Sequence, residues 1–284
     1  MSNVGLVLSG GMAKGAYQIG ALQAINEYLK PSDFKFVSSS SVGALNSYAY
    51  LTNGLSRATE LWNKISNEYN RARITTILKS EFLQNAIDTI VSDVKISSVF
   101  YVPLVNLKSR TLSYVDLGQI PTENIELYLR ASVAMPIYNA GVQIERERFF
   151  DGALIDNIPI YPLRKHKIDY IICIYFDDYN YTFENEQLDN RIIKLNFFDD
   201  MSISNSVCIS ENSVRYMIDE GYNQSKQILE SIFMKGKDDI ASIHSGIEKL
   251  NSQHEKRSLR ITGDVVVNNM NKITKKLVKR KIIF

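Results

Sequence analysis

Four consecutive serines, Ser38 to Ser41, close the apolar run that begins at Phe36 and lead into Val42-Gly43-Ala44-Leu45-Asn46. A serine hydroxyl is a poor nucleophile until a base takes its proton, so residue type alone decides nothing. A sharp strand-to-helix turn presents a serine only when the residues two before and two after it are small, because the chain nearly touches itself there. Only Ser41 meets that condition, with Gly43 two ahead and Ser39 two behind. The N–H that follows it, at a helix N-terminus, would help to hold an oxyanion. The other reading is a polar loop.

Two further clusters have the residue types for chemistry. Ser9-Gly10-Gly11-Met12-Ala13-Lys14-Gly15 is a glycine-rich turn after an apolar run, and such turns leave N–H groups free to face an anion. It lacks the G-x-x-x-x-G-K-[ST] spacing of a phosphate loop. A dinucleotide turn would need glycine at Met12 and an acidic residue where the serines stand. An oxyanion hole passes both tests, beside the alternative of a plain βα turn. In Phe149-Phe150-Asp151-Gly152-Ala153, an aromatic strand ends on Asp151, whose carboxylate can be aimed from the turn or merely form an Asx-turn. Asp156 and Asn157, just before Pro159, read as turn or capping residues.

A base for Ser41 must come from elsewhere in the chain. The three histidines, His166, His244 and His254, lie in a charged turn and in two polar helix-like segments, and each reads as a surface residue. Asp151 acting directly as base therefore stands beside a triad through His166.

These residues sit on a recognisable frame. Val4 to Leu8 reads as a strand, a helix follows until Pro31, Phe34 to Val37 reads as a second strand, and Ala44 to Leu51 starts another helix. That alternation specifies an α/β fold with a parallel sheet. Residues 56 to 116 read as mostly helical, closing with strands at Tyr101–Leu107 and Thr111–Val115. Ile125 to Ala131 is a short helix, Ile168 to Phe176 a central strand lacking alternation, and Asn212 to Phe233 a long helix. One domain over residues 1–235, with a basic helical extension over 236–284, is the expected organisation.

The 284 residues are 45% hydrophobic, with a net charge of +2, which gives no general case for nucleic acid as partner. Cys173, in an apolar run, and the distant Cys208 fit a reducing compartment and no disulfide framework. The N-terminus has no signal-peptide pattern and no apolar run approaches the ~20 residues of a membrane span. A cytoplasmic protein is expected, with peripheral membrane contact left open. No metal-ligand spacing is present, so neither metal nor cofactor is expected.

Taken together and in this order, the blocks resemble the patatin-like phospholipases, a family of lipid acyl hydrolases. Gly10 to Gly15 matches the family's oxyanion loop except at Met12, and Ser39 to Asn46 its G-x-S-x-G elbow except at Ser39. Asp151-Gly152-Ala153 matches its Asp-Gly motif, Ala131 to Pro136 its Ala-Ser block, and Asp156 to Pro159 its usual follow-on. The resemblance covers about residues 1 to 235. It implies a three-layer α/β/α sandwich with a mostly parallel central sheet. It further implies Ser41 as nucleophile, Asp151 as general base, and N–H groups near Gly10, Gly11 and Met12 as oxyanion donors. Lys14 takes the family's basic position, and Gly15, Ser39, Gly43, Gly152 and Ala153 shape the turns.

Met12 is expected to resist the positive φ that glycine adopts freely, so that the hole is displaced or needs another donor. Ser39 adds bulk where the elbow is tightest. The implied activity is cleavage of fatty-acyl esters of membrane lipids, in the manner of a phospholipase A or lysophospholipase, with phospholipid as partner. The alternatives are a non-catalytic lipid-binding or regulatory relative and a triad esterase. The last fourteen residues hold Lys272, Lys275, Lys276, Lys279, Arg280 and Lys281 without an acid, which on a helix would suit an anionic membrane surface.

Overall fold

A computed structural model describes residues 2–68, 87–136, 138, 140–177, 180–198, 209–252, 256–259, 261, 282 and 283. Val4–Leu8 (β1) and Tyr170–Tyr175 (β7) are buried along their whole length. Strands with no polar face must be covered on both sides, which places them at the centre of a parallel sheet. Between them in sequence come Phe34–Ser39 (β2), Val99–Asn106 (β3), Thr111–Asp116 (β4), Val142–Ile144 (β5) and Glu147–Asp151 (β6). Asn180–Phe183 (β8), Ile192–Asn196 (β9), Lys256–Leu259 (β10) and Ile282–Ile283 (β11) follow.

The main sheet among the described residues runs β11-β4-β3-β2-β1-β7-β9, with β6 on β3 and β5 on β6. β2, β1, β7 and β9 are parallel to one another, and β2 is parallel to β3. β4 and β6 both run antiparallel to β3. The architecture is α/β, with a mostly parallel central sheet flanked by helices. Ile282 and Ile283 pair with β4 as a strand, not as part of a terminal helix, and the basic residues before them lie outside the described ones.

Alternate residues of the central strands enter two cores. Leu6, Leu8, Ile172 and Ile174 pack with Gly15–Tyr28 (α1), Val42–Leu51 (α2), Leu55–Glu68 (α3) and Glu211–Ile232 (α5). Val7, Ile171, Cys173 and Tyr175 pack with Leu163 of the 3₁₀ helix Tyr161–Lys165 and with Phe183 and Leu259 of the small β8–β10 sheet. Ile125–Ser132 (α4) covers part of the first face beside β5 and β6, and Ile240–Asn251 (α6) buries Ile243 and Ile247 there. The expected long helix is α5, with Val214, Met217, Leu229 and Ile232 buried. The middle segment is helical through Glu68, residues 69–86 fall outside the described residues, and β3 starts at Val99. Cys173 is a buried free thiol, and Cys208 lies outside the described residues. No described helix is long and apolar enough to cross a membrane.

α1 and α5 touch backbone to backbone. A methyl group on Gly20 would stand 1.9 Å from the Ile218 carbonyl oxygen, and one on Gly221 2.2 Å from that of Tyr17. α1 carries the glycine turn at its N-terminus, so this seam fixes where that turn sits. Replacing Gly221 by alanine must push the helices apart and is expected to cost about 1–3 kcal/mol. Thermal denaturation should show a fall of several degrees; a Gly221→Ala variant melting with the wild type would mean that the seam yields freely.

Candidate active site

β1 and β2 run side by side, and the turns that leave their C-terminal ends therefore meet. Ser9, at the end of β1, donates its N–H to the Ile174 carbonyl, and Ser40, at the end of β2, donates to that of Leu8. α2 starts at once, and Gly43 lies so close to β1 that a methyl group there would stand 2.7 Å from the carbonyl oxygens of Leu8 and Ser9. At that spacing nothing larger than glycine fits.

The four serines are not equivalent. Ser38, Ser39 and Ser40 are wholly buried, whereas Ser41 is half-exposed. The Ser39 and Ser47 hydroxyls share a hydrogen bond of 2.7 Å, and the Ser40 hydroxyl donates to the Asn157 carbonyl at 2.6 Å. Ser39, the departure at the elbow, is thus accommodated as a strand residue whose added hydroxyl is satisfied from α2. Ser41 takes φ 52° and ψ −134° as the residue that caps α2. A non-glycine residue held there costs on the order of 1–3 kcal/mol, and the pinned ends of β1 and β2 keep it in place.

Asp151 arrives from the opposite direction. β2 pairs with β3 only as far as Ser38 opposite Tyr101, and β6 then takes the same edge of β3, with Asp151 opposite Leu104. Pro103, which has no N–H to give a ladder, lies in the gap between the two pairings. Gly152 passes so close to Pro103 that a methyl group would stand 2.3 Å from its carbonyl oxygen. The Asp151 N–H donates to Ala134 at 2.9 Å, which gives the Ala131–Pro136 block a role in holding the end of β6.

The Asp151 carboxylate is fully buried, and one oxygen, Oδ1, accepts the Ala153 N–H at 2.8 Å. Burial raises its pKa to about 7, against smaller downward pulls from the Ser41 hydroxyl and the Ala153 N–H. Ser41 is thus near enough to favour the charged form, although Oδ2 has no well-formed hydrogen-bond partner. A buried, half-satisfied carboxylate beside a reachable hydroxyl can accept a proton from it.

The glycine turn closes the site from the third side. Met12–Lys14 forms one turn of 3₁₀ helix, with the Lys14 N–H on the Gly11 carbonyl, and Gly15 starts α1 against Trp62 and Val42. A methyl group on Gly10 would lie 2.9 Å from the Ser41 Cβ and 3.3 Å from that of Ala153, so the three motifs converge at this glycine. Its N–H is already committed, to Ser40 Oγ at 2.8 Å and the Asn157 carbonyl at 3.3 Å. Gly10 therefore does not offer the oxyanion donor expected of it, because its hydrogen bond is spent on joining loops. The N–H groups of Gly11, Met12 and Val42 donate to no other group among the described residues.

Met12 differs from expectation in another way. It adopts φ 52° despite its side chain, so the turn keeps a left-handed residue rather than shifting away from it.

A buried polar chain supports the turn from behind. Gln18 Nε2 donates to the Ser9 carbonyl at 2.7 Å, and Asn46 Nδ2 donates to Gln18 and to the Gly15 carbonyl. Asn157 and Asp156 do more than cap a turn. Asn157 grips Gly10, and Asp156 is fully buried and accepts from the Tyr114 hydroxyl. A short polar pair before a proline carries no sequence signal for either contact.

The two described histidines serve other contacts. His166 Nε2 meets the Tyr101 hydroxyl at 3.1 Å and its ring stacks on Phe36; burial, with Lys165 beside it, lowers its pKa. His244 Nε2 meets the Asp169 carbonyl at 2.8 Å, and His254 lies outside the described residues. Among the described residues no cluster of three or more metal-ligating side chains is found. A cavity of about 1000 Å³, lined by Tyr114, Tyr128, Ile144 and Phe149 among others, reaches to within two residues of Asp151 on β6.

A strained serine between a parallel strand and a helix, faced by a glycine turn, defines a nucleophile-elbow type of α/β protein. The family model for patatin-like phospholipases matches residues 6–164, more than half of the chain and all three turns, and the chain belongs to that family. Among solved structures it is similar to VipD from Legionella pneumophila, at 13% identity over 81% of this chain and 67% of that one, with a TM-score of 0.47. It is also similar to the type III effector ExoU of Pseudomonas aeruginosa, at 13% identity over 90% of this chain and 54% of that one, with a TM-score of 0.41. The chain thus spans about half to two thirds of those longer chains, and the likeness is one of outline. No curated protein matches the sequence.

Met12 is 38% exposed, so its side chain offers little packing against the strain of its backbone. Met12→Gly is expected to gain up to about 1 kcal/mol and to raise the melting temperature by a few degrees. A lower melting temperature would show that Met12 is held by contacts outweighing the strain.

Proposed function

We propose that the protein is a serine lipid acyl hydrolase, with Ser41 as nucleophile and Asp151 as its only base, acting on fatty-acyl esters of membrane lipids. Membership of the patatin-like phospholipases supports a lipid hydrolase in general. The observation that carries the finer reading is the pairing of the one reachable serine of the four with a buried carboxylate whose pKa is raised by burial to about 7. A base poised there is ionised in useful proportion and still basic enough to draw a proton.

In this reading Ser41 Oγ attacks the ester carbonyl while its proton passes to Asp151 Oδ2. The carbonyl oxygen, now anionic, takes hydrogen bonds from Gly11, Met12 and Val42, each such donor being worth ~10²–10³ in rate. The tetrahedral intermediate collapses, and the leaving alkoxide takes the proton from Asp151, leaving the acyl group on Ser41. A water molecule then gives its proton to Asp151 and attacks the acyl carbonyl. Fatty acid leaves as Ser41 recovers its proton. No step calls for a metal, and turnover is expected to persist in excess chelator. Lys14 orders the glycine turn in this scheme.

Ester turnover should rise with pH through a midpoint near 7 as Asp151 ionises, and should be lost in Ser41→Ala and Asp151→Asn. Stability moves the other way. The folded-state pKa of about 7 lies above the ordinary 3.8. The folded state therefore holds a proton that the unfolded state has released, and stability falls as pH rises from about 4 through 7. Asp151→Asn escapes that loss and is expected to melt above the wild type at pH 8 while turning nothing over. An inactive variant no more stable than the wild type at pH 8 would contradict a raised Asp151 pKa, and an active one would remove Asp151 as the base.

The same proposal places the substrate in a membrane surface approached through the basic residues near the C-terminus. Neutralising Lys275, Lys276 and Lys279 together should weaken binding to anionic vesicles by about a hundredfold at low salt, at ~1 kcal/mol for each charge. Equal binding by the variant and the wild type would reject that approach.

A further inference from the structure

The hydroxyl of Ser40 and the side chain of Asn157 converge on one peptide group in the glycine turn. Ser40 Oγ accepts the Gly10 N–H at 2.8 Å and donates to the Asn157 carbonyl at 2.6 Å. Asn157 Nδ2 donates to the Gly10 carbonyl oxygen at 3.2 Å. The Gly10 carbonyl and the Gly11 N–H belong to the same planar trans peptide, so they point in opposite directions. A donor that holds the Gly10 oxygen towards Asn157 therefore also aims the Gly11 N–H away from it. Glycine on both sides of that peptide offers little steric resistance to its turning over, which would exchange a donor for an acceptor.

Resting on the hydrolase reading above, we infer that Asn157, seconded by Ser40, is a positioning residue that sets the Gly10–Gly11 peptide so that it presents an N–H to the oxyanion. Neither side chain touches the reacting atoms. Ser40 fixes the N–H side of Gly10, Asn157 fixes its carbonyl, and together they couple the glycine turn, the elbow and the aspartate turn. A residue that merely filled space would tolerate its isostere. Asn157→Asp keeps the volume but replaces a donor by an acceptor facing another acceptor, which favours the turned-over peptide. This residue is half-buried and gives one side-chain hydrogen bond to the turn, so its variants are expected to fold.

The test compares wild type, Ser40→Ala, Asn157→Ala and Asn157→Asp by ester kinetics on the high-pH plateau, where Asp151 is ionised in all of them, with thermal melting as the control for folding. The expectation is a plateau kcat about tenfold to a hundredfold lower for Asn157→Ala and lower again for Asn157→Asp, within the range of a lost oxyanion donor. KM should stay within about twofold, and the midpoint of the Asn157→Ala pH profile should not move. A folded Asn157→Ala with wild-type kcat would overturn the inference. So would Asn157→Asp being as active as Asn157→Ala, or a shifted midpoint in Asn157→Ala, which would mean action through Asp151. If Ser40→Ala does not fold, the two Asn157 variants still decide. A folded wild type without turnover would instead remove the hydrolase reading and this inference with it, an outcome distinct from an active wild type with indifferent variants.

Discussion

The site depends on an exchange of partners along one edge of β3. β2 occupies that edge until its chain turns away after Ser39, and β6 fills the vacated stretch from the other direction, ending at Asp151. A parallel strand that stops and an antiparallel strand that arrives must bring their ends together. β2 pairs no further than Ser38 opposite Tyr101, and Asp151 stands opposite Leu104, three residues on along the same edge. Ser41 and Asp151, 110 positions apart in the chain, become neighbours because both turns leave the sheet at this gap. The tight passage of Gly152 over Pro103 locks the second turn into the same gap.

Two unfavourable features follow from that exchange. The elbow holds Ser41 at a positive φ, and the end of β6 buries a carboxylate with only one firm hydrogen bond. Either would be relieved if the local chain could relax. It cannot, because β1 and β7 form the fully packed centre of the sheet and the α1–α5 seam presses the glycine turn onto it. Strain of a few kcal/mol is small beside the apolar burial of such a core and persists where the surroundings over-determine it. The raised pKa of Asp151 and the exposure of Ser41 alone among the four serines are thus consequences of packing distributed over the whole domain.

Much of this was legible in the sequence, for identifiable reasons. The apolar run at Val4–Leu8 announces a strand and the one at Ile168–Phe176 a central strand, and glycine at position 43 marks the one serine of four with the setting of an elbow. What was not legible involves contacts between distant turns. Nothing local distinguishes Asn157 as a partner of Gly10, or shows that the Gly10 N–H is spent on Ser40, since both depend on three loops meeting. Met12 departs from its local preference for a related reason. Steric preference argues against a positive φ, but the pinned ends of the turn override the preference of one residue. Likewise Ser39 looked like an intrusion until Ser47, one helical turn into α2, supplied its partner.

The central claim, that Ser41 is the nucleophile and Asp151 draws its proton, is tested most directly by finding where a fluorophosphonate attaches. Labelled wild-type protein would be digested and the peptide spanning the four serines sequenced by mass spectrometry, at several pH values. The claim predicts a single adduct, on Ser41, forming faster as pH rises through about 7. An adduct on Ser38, Ser39 or Ser40, or no adduct on a folded protein at any pH, would contradict it.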